Sequence, residues 1–134
     1  MQDLQRQFVP KQVLAGTKMK NEQCAAAFGS VLFYEDQQVI RQLQKKILFH
    51  AAEFPIWSEQ TSGMAQFVVW TALADSGVGA SLQHFNPSID HAAAENFDIP
   101  NTWLLRSQLV FGSIEEEATE RCHANYQNQF KLYA

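Results

Sequence analysis

The histidines and cysteines are the residues of this chain best suited to metal binding or nucleophilic catalysis, but their spacing favours neither. They are Cys24, His50, His84, His91, Cys122 and His123. Metal sites place His, Cys, Asp or Glu ligands at short characteristic separations, and none of these histidines has a partner at such a spacing. Adjacent residues such as Cys122 and His123 are poorly placed to ligate one ion. We therefore predict no metal site and, in a reducing compartment, no disulfide.

Motifs for phosphate loops and for serine nucleophiles are also missing. Gly77 and Gly79 precede a predicted strand, whereas a phosphate-binding glycine loop opens a helix. Ser62-Gly63 falls inside a predicted helix, not at the sharp turn that exposes a nucleophilic serine. By elimination, we expect the chemistry of this protein to belong to a bound cofactor.

The composition is that of a single globular domain covering residues 1–134. Hydrophobic residues make up 46% of the chain and charged residues 18%, which indicates some apolar surface that meets a partner or a ligand. A formal charge of -4 lacks the positive surface that nucleic acids require. No apolar run reaches the ~18 residues of a membrane helix or resembles a signal peptide. We predict a cytoplasmic protein that binds neither nucleic acid nor membrane.

Hydrophobic spacing and capping residues predict alternating helices and strands, and hence an α/β or α+β fold. The predicted helices cover residues 2–9, 17–28, 36–47, 58–77 and 88–97, with Thr17, Asp36, Ser58 and Ser88 as N-caps and Gly77 as a helix stop. The predicted strands cover residues 31–34 and 103–112, residues 77–85 are predicted as a turn that leads into a strand, and residues 48–57 form an aromatic-rich loop. Residues 113–134 form an extended tail that suits an arm laid on a second subunit.

The helix predicted over residues 58–77 is apolar nearly all round. A helix of this kind must be buried on nearly all sides. In a domain of this size, contact with a second subunit is the simplest way to bury it, so we predict a subunit interface along this helix.

Three sequence blocks are distinctive in combination. They are FPIWSEQTSGMAQ over residues 54–66, GASLQHFNP over 79–87 and IPNTW over 99–103 followed by Phe111-Gly112. Together they closely resemble the nitroreductase family, in the branch related to the fatty-acid repression mutant protein of yeast and its bacterial relatives. The resemblance extends from about Phe8 to Tyr133.

This resemblance implies a nitroreductase-like fold, with a central sheet flanked by helices, in a two-fold symmetric dimer that binds two FMN molecules between its subunits. Members of the family oxidise NAD(P)H and pass electrons to nitroaromatic or quinone-like acceptors. In that architecture the segment after the long helix lies along the flavin ring. Here it is the segment from Gly79 to His84, in which backbone amides near Ser81, Leu82 and Gln83 would stabilise charge on the reduced ring, and His84 belongs to the same predicted cofactor-binding set. The alternative is that Gln83 and His84 merely end a strand.

Three further positions follow from the same resemblance. Phe54 and Trp57 lie in a stretch that shapes the substrate slot in relatives, although a plain core role is the alternative. Lys131 corresponds to a basic position near the FMN phosphate, although it is also compatible with an ordinary solvated lysine. Relatives carry an arginine two residues earlier, where this chain has Gln129.

The largest departure from the family is at the N-terminus of the chain. Relatives begin with a longer N-terminal portion that grips the phosphate, and nothing in residues 1–30 matches it. We therefore expect an N-terminally truncated chain, corresponding to the C-terminal two-thirds of the family domain, with weakened FMN binding. Two functions stay open: an FMN-dependent oxidoreductase, or a flavin-free dimeric interaction or regulatory protein that retains the core.

Overall fold

The computed structural model describes residues 11–117, 130, 131 and 133. Its helices are α1 (Lys11–Ala26), α2 (Gln37–Lys46), α3 (Phe54–Asp75) and α4 (Asp90–Asn96), with a 3₁₀ turn at Leu48–His50. Its strands are β1 (Gly29–Asp36), β2 (Gly79–Gln83) and β3 (Trp103–Gly112). The predicted alternation of helices and strands is confirmed, whereas the helix predicted over residues 2–9 lies outside the described part of the chain.

The three strands form one antiparallel sheet in the order β1-β3-β2. β3 is central, and its Ser107 and Leu109 are fully buried. The register shifts between β1 and β3, since Phe33 lies opposite Ser107 and Tyr34 opposite Leu105. Arg106 is therefore one extra residue in β3, accommodated as a β-bulge.

Helices cover both faces of this sheet. On one face, Leu32, Gln108 and Val110 line a cavity together with Cys24 of α1. Side chains alternate along a strand, so the residues between these point to the opposite face. There the hydroxyl of Ser58 in α3 donates to the carboxylate of Glu35 in β1. The predicted central sheet flanked by helices is confirmed.

Two of the predicted helix boundaries are confirmed in atomic detail. Asp36 is the N-cap of α2, and its side chain accepts a hydrogen bond from the backbone N–H of Gln38 at 2.9 Å. Gly77 follows α3 with a φ of 72°, the left-handed conformation that glycine adopts most easily. Gly77 thereby ends the helix and redirects the chain into β2.

Three other predicted N-caps are wrong. α3 begins at Phe54 with Pro55 in its first turn, where a fixed φ favours helix and a missing N–H costs nothing. Ser58 lies one turn inside and bonds to β1 instead, so the segment predicted as a loop over residues 48–57 is partly helical. α4 begins after Ile89 and not at Ser88, without a side-chain cap, and Thr17 lies within α1.

α3 has no buried residue in the single chain. Met64 is 63% exposed, Phe67 67% and Val68 62%, although all three are strongly apolar. Burial of this helix against a second subunit therefore stays a prediction. No helix in the described part of the chain is long and apolar enough to cross a membrane.

The tail predicted over residues 113–134 falls largely outside the described residues. Phe130, Lys131 and Tyr133 are described; they are exposed and belong to neither a helix nor a strand. The predicted arm on a second subunit stays a prediction.

Candidate functional site

β2 lies at an edge of the described sheet and pairs with β3 alone. In an antiparallel pair, alternate residues direct their backbone N–H and C=O groups away from the neighbouring strand. An edge strand therefore presents main-chain donors and acceptors that no described strand uses. This arrangement fits the acceptor-rich edge of a flat heterocycle such as a flavin ring.

Four of the five residues predicted to bind the cofactor, Ser81 to His84, occupy β2 and the position after it. Ser81 and His84 are exposed, whereas Leu82 is half-buried. The side chain of Gln83 is only 4% exposed, and its Nε2 donates to Ser81 Oγ at 2.7 Å. The Gln83 side chain is thus engaged within the protein, so a ligand at this strand would meet its backbone.

A hydrogen-bonded network holds the turn that follows β2. Gln108 in β3 is 2% exposed, and its Oε1 accepts from the backbone N–H of Phe85 at 2.8 Å. Its Nε2 donates to Asn86 Oδ1 at 3.0 Å. The Nδ2 of Asn86 donates in turn to Asp90 Oδ1 at 2.7 Å and to the carbonyl of Leu105 at 2.9 Å. We call Gln108, Asn86 and Asp90 the amide network.

The amide network is not apparent from the sequence alone. Gln108 lies in a strand and Asn86 in a turn, separated by 22 residues. No local pattern links two such residues, because their contact arises only when β2 and β3 pair.

An aromatic cluster lies where the 3₁₀ turn meets α3. The rings of Phe54 and Trp57 are 5.4 Å apart and nearly perpendicular. His50 lies 5.4 Å from Trp57 and 4.8 Å from Phe49. Phe49 is 91% exposed and Trp57 42%, so ring faces of the cluster are open to a planar ligand. The structure brings Phe54 and Trp57 together and adds His50, which the sequence analysis did not assign to this site.

A set of hydrogen bonds and ion pairs around Glu35, which we call the Glu35 anchor, fixes the first turns of α3 against the sheet. The carboxylate of Glu35 accepts hydrogen bonds from Ser58 and, at 2.5 Å, from Gln37 Nε2. Arg106 Nε lies 3.9 Å from Glu35 Oε2, and the Arg106 guanidinium also pairs with Glu59. Arg106 thus lies between two carboxylates and links β3 to β1 and α3.

A groove of about 1260 Å³ opens at the start of β2, between the ends of α1 and α3. Phe28, Leu73 and Phe111 line it, together with Glu115 and Glu116. Two carboxylates repel an anion, so this groove does not suit the phosphate of FMN. Lys131 is exposed, and its predicted approach to that phosphate stays a prediction. Within the described residues, no three metal-ligating side chains converge.

The known proteins to which this chain is similar in sequence and in structure are nitroreductases. No protein-family model matches the chain. Nitroreductase FRM2 of Saccharomyces cerevisiae is 39% identical over 78% of this chain and 55% of its own length. Nitroreductase CinD from Lactococcus lactis, solved with 4-nitrophenol, superposes with a TM-score of 0.83 at 46% identity, over 91% of this chain and 65% of CinD.

A second CinD structure, solved with nicotinic acid, has a TM-score of 0.83 at 43% identity and covers 99% of this chain and 71% of CinD. The chain spans about half the length of the curated relatives it matches. It spans about two-thirds of the solved ones.

Proposed function

Because the chain belongs to the nitroreductase family, as its sequence blocks predicted, we propose that it forms the core of an FMN-dependent oxidoreductase. The proposed reaction passes electrons from NAD(P)H to nitroaromatic or quinone-like acceptors. The similarity to CinD is the observation that carries the proposal, since CinD is solved with 4-nitrophenol and with chloramphenicol, both nitroaromatic molecules.

The edge of β2 is the proposed contact with the flavin ring. FMN, when bound, supplies the redox chemistry, accepting a hydride from NAD(P)H and releasing electrons to the acceptor. The protein's part would be to present to the ring those main-chain N–H groups among residues 81–84 that point away from β3. Fixed dipoles of this kind stabilise negative charge on the ring without having to reorganise. The exposed position of His84 supports access of a ligand to this backbone.

The aromatic cluster is the proposed wall of the acceptor slot. Trp57 is 42% exposed and offers a ring to which a flat nitroaromatic can stack, and the half-buried Phe54 packs edge-to-face with it. Stacking depends weakly on ring substituents, so a slot of this kind accepts a range of acceptors. The Glu35 anchor positions the wall, because Ser58 immediately follows Trp57 in α3 and is bonded to β1.

A homodimer is the proposed assembly. The apolar residues 64, 67 and 68 of α3 are each more than half exposed in the single chain, and a contiguous exposed apolar surface is typical of a contact with another protein. A second copy laid along α3 would bury this surface and bring the flavin-binding strands close to the interface. The family architecture supports this arrangement.

The proposal is tested by titrating the purified chain with FMN and following visible absorbance and flavin fluorescence. We expect saturable binding of one FMN per chain, and oxidation of NAD(P)H that depends on added 4-nitrophenol.

Two variants at one position test the backbone contact. His84→Ala keeps the N–H and should bind FMN within about threefold of wild type, whereas His84→Pro removes it and should bind about tenfold more weakly, the effect of one hydrogen bond.

Far-UV circular dichroism and thermal unfolding of both variants serve as the control for folding. Equal loss of binding in His84→Ala would assign the contact to the imidazole and contradict the backbone role. A dimer that binds no FMN at any concentration would instead support the flavin-free interaction protein.

A further inference from the structure

The amide network occupies the far end of β2, next to the proposed flavin contact. Gln83 is the last residue of β2 and lies opposite Gln108 in the register of the sheet. The hydrogen bond from Phe85 N–H to Gln108 therefore fixes the chain two residues beyond the strand. His84, which lies between these two points, has its backbone fixed on both sides.

We propose that Gln108 and Asn86 are positioning residues that set the backbone of residues 83–85 in the orientation that binds the flavin ring. The inference rests on the proposed function and extends it to residues that do not themselves touch the ligand.

The direction of each hydrogen bond in the network is determined by its neighbours. The carboxylate of Asp90 and the carbonyl of Leu105 can only accept, so the Asn86 side chain must turn its Nδ2 towards them. Its Oδ1 then faces Gln108 and requires a donor, which is Nε2. The Oε1 of Gln108 is left to accept from Phe85. The backbone N–H of Phe85 is thus held by a chain of bonds with one allowed orientation.

Burial makes this orientation costly to reverse. Gln108 is 2% exposed, so bulk water has little access to replace a lost partner. A buried polar atom without a partner costs more than the bond itself contributes, because the desolvation penalty remains. We therefore expect the turn to be set in place before any ligand binds.

Two substitutions at Gln108 distinguish the effect of hydrogen-bond direction from the effect of side-chain shape. Gln108→Glu keeps the acceptor for Phe85 but places a carboxylate oxygen against Asn86 Oδ1. Gln108→Met keeps the side-chain length and removes both bonds. We expect FMN binding to weaken about tenfold or more in both variants, and the Phe85 amide to exchange with solvent about tenfold faster in Gln108→Met, measured by NMR. Gln38→Glu, the same charge change at an exposed position of α2, should bind FMN as wild type does.

Lowering the pH tests directly whether the donor towards Asn86 is what the Gln108→Glu variant lacks. Protonation of the carboxylate introduced by Gln108→Glu restores a donor towards Asn86, so the FMN affinity of this variant should recover towards wild type as the pH falls. No such recovery is expected for Gln108→Met. Wild-type affinity in either folded variant, or an unchanged Phe85 exchange rate in Gln108→Met, would overturn the inference.

The wild-type chain without flavin gives an independent test if neither variant folds. The Phe85 amide should then be protected to a degree similar to amides of the buried strand β3, and exchange as fast as an exposed amide would overturn the inference. Failure of the wild-type chain to bind FMN is a different result, since it removes the proposed function and the inference with it. If the wild-type chain and both variants bind FMN equally well, the inference is overturned and the proposed function stands.

Discussion

Tyr34 shows how one buried polar atom affects stability. Its hydroxyl is buried and makes no hydrogen bond with any described residue. Burial, and to a smaller degree the negative charge of Asp90, raises the pKa of Tyr34 above its ordinary value of 10.0. Both features indicate that burying this hydroxyl lowers the stability of the folded state.

The pH dependence of the free energy of unfolding follows from the direction of this pKa shift. Above about pH 10 the unfolded chain loses the Tyr34 proton while the folded chain retains it. Since the folded state then binds more protons, the free energy of unfolding falls as the pH rises through this range, and the contribution is fully present below it.

We expect Tyr34→Phe to unfold at an equal or higher urea concentration at pH 7, with a gain of up to about 1 kcal/mol, because the unsatisfied hydroxyl is removed. The advantage over wild type should grow between pH 9 and pH 11. Tyr133→Phe, at a side chain that is 85% exposed, is the matched control and should change neither curve. A Tyr34→Phe variant clearly less stable than wild type at pH 7 would show that the hydroxyl has a partner.

At the scale of the helices and strands, the start of α3 shows where local patterns mislead. Ser58 followed by Glu59 has the composition of a helix N-terminus, but Pro55 starts the helix earlier. Ser58 instead bonds to Glu35, which is 23 residues away in β1. A serine that caps a helix and a serine that bonds to a neighbouring strand look the same in sequence, because only the packing of α3 on the sheet distinguishes them.

The end of α3 is set by one residue and gives a direct test. Gly77 has a φ of 72°, and a Cβ added there would meet no atom within 4 Å. The cost of Gly77→Ala is therefore conformational and not steric contact with neighbours, and we expect a loss of about 1 kcal/mol in the free energy of unfolding. Gly77→Asn should lose less, because asparagine tolerates this conformation. Equal losses in urea denaturation would contradict the conformational explanation.

At the scale of the whole molecule, the apolar surface of α3 is the surface that the proposed dimer would bury. A charge at its centre should separate the subunits, because an unpaired carboxylate buried in an apolar interface costs several kcal/mol. We expect the wild-type protein to sediment at twice the chain mass of 15.2 kDa and Phe67→Glu to sediment as a single chain. Gln38→Glu, which also introduces a carboxylate but on an exposed face of α2, should leave the dimer intact.

Sedimentation of the wild-type protein as a single chain would contradict the proposed dimer. Dissociation of both variants to the same extent would instead show that added charge, and not the position of Phe67, controls assembly.

The sequence by itself determined the class of fold, the family, the order of the helices and strands and some of their boundaries. β3 was predicted over residues 103–112 and is found there, and Asp36 and Gly77 were placed correctly as cap and stop. These features depend on side-chain periodicity and on the conformations that single residues prefer, which neighbouring residues in the chain suffice to specify.

Only the tertiary structure decided which distant side chains meet. The amide network joins residues of β3 to the turn after β2, and the Glu35 anchor joins β1, β3 and α3. Such contacts depend on strand order, on the register between strands and on a bulge at Arg106. A polar residue in a strand has the same local pattern whether its partner is water or a buried amide, so the pairing of the strands is what assigns Gln108 its role.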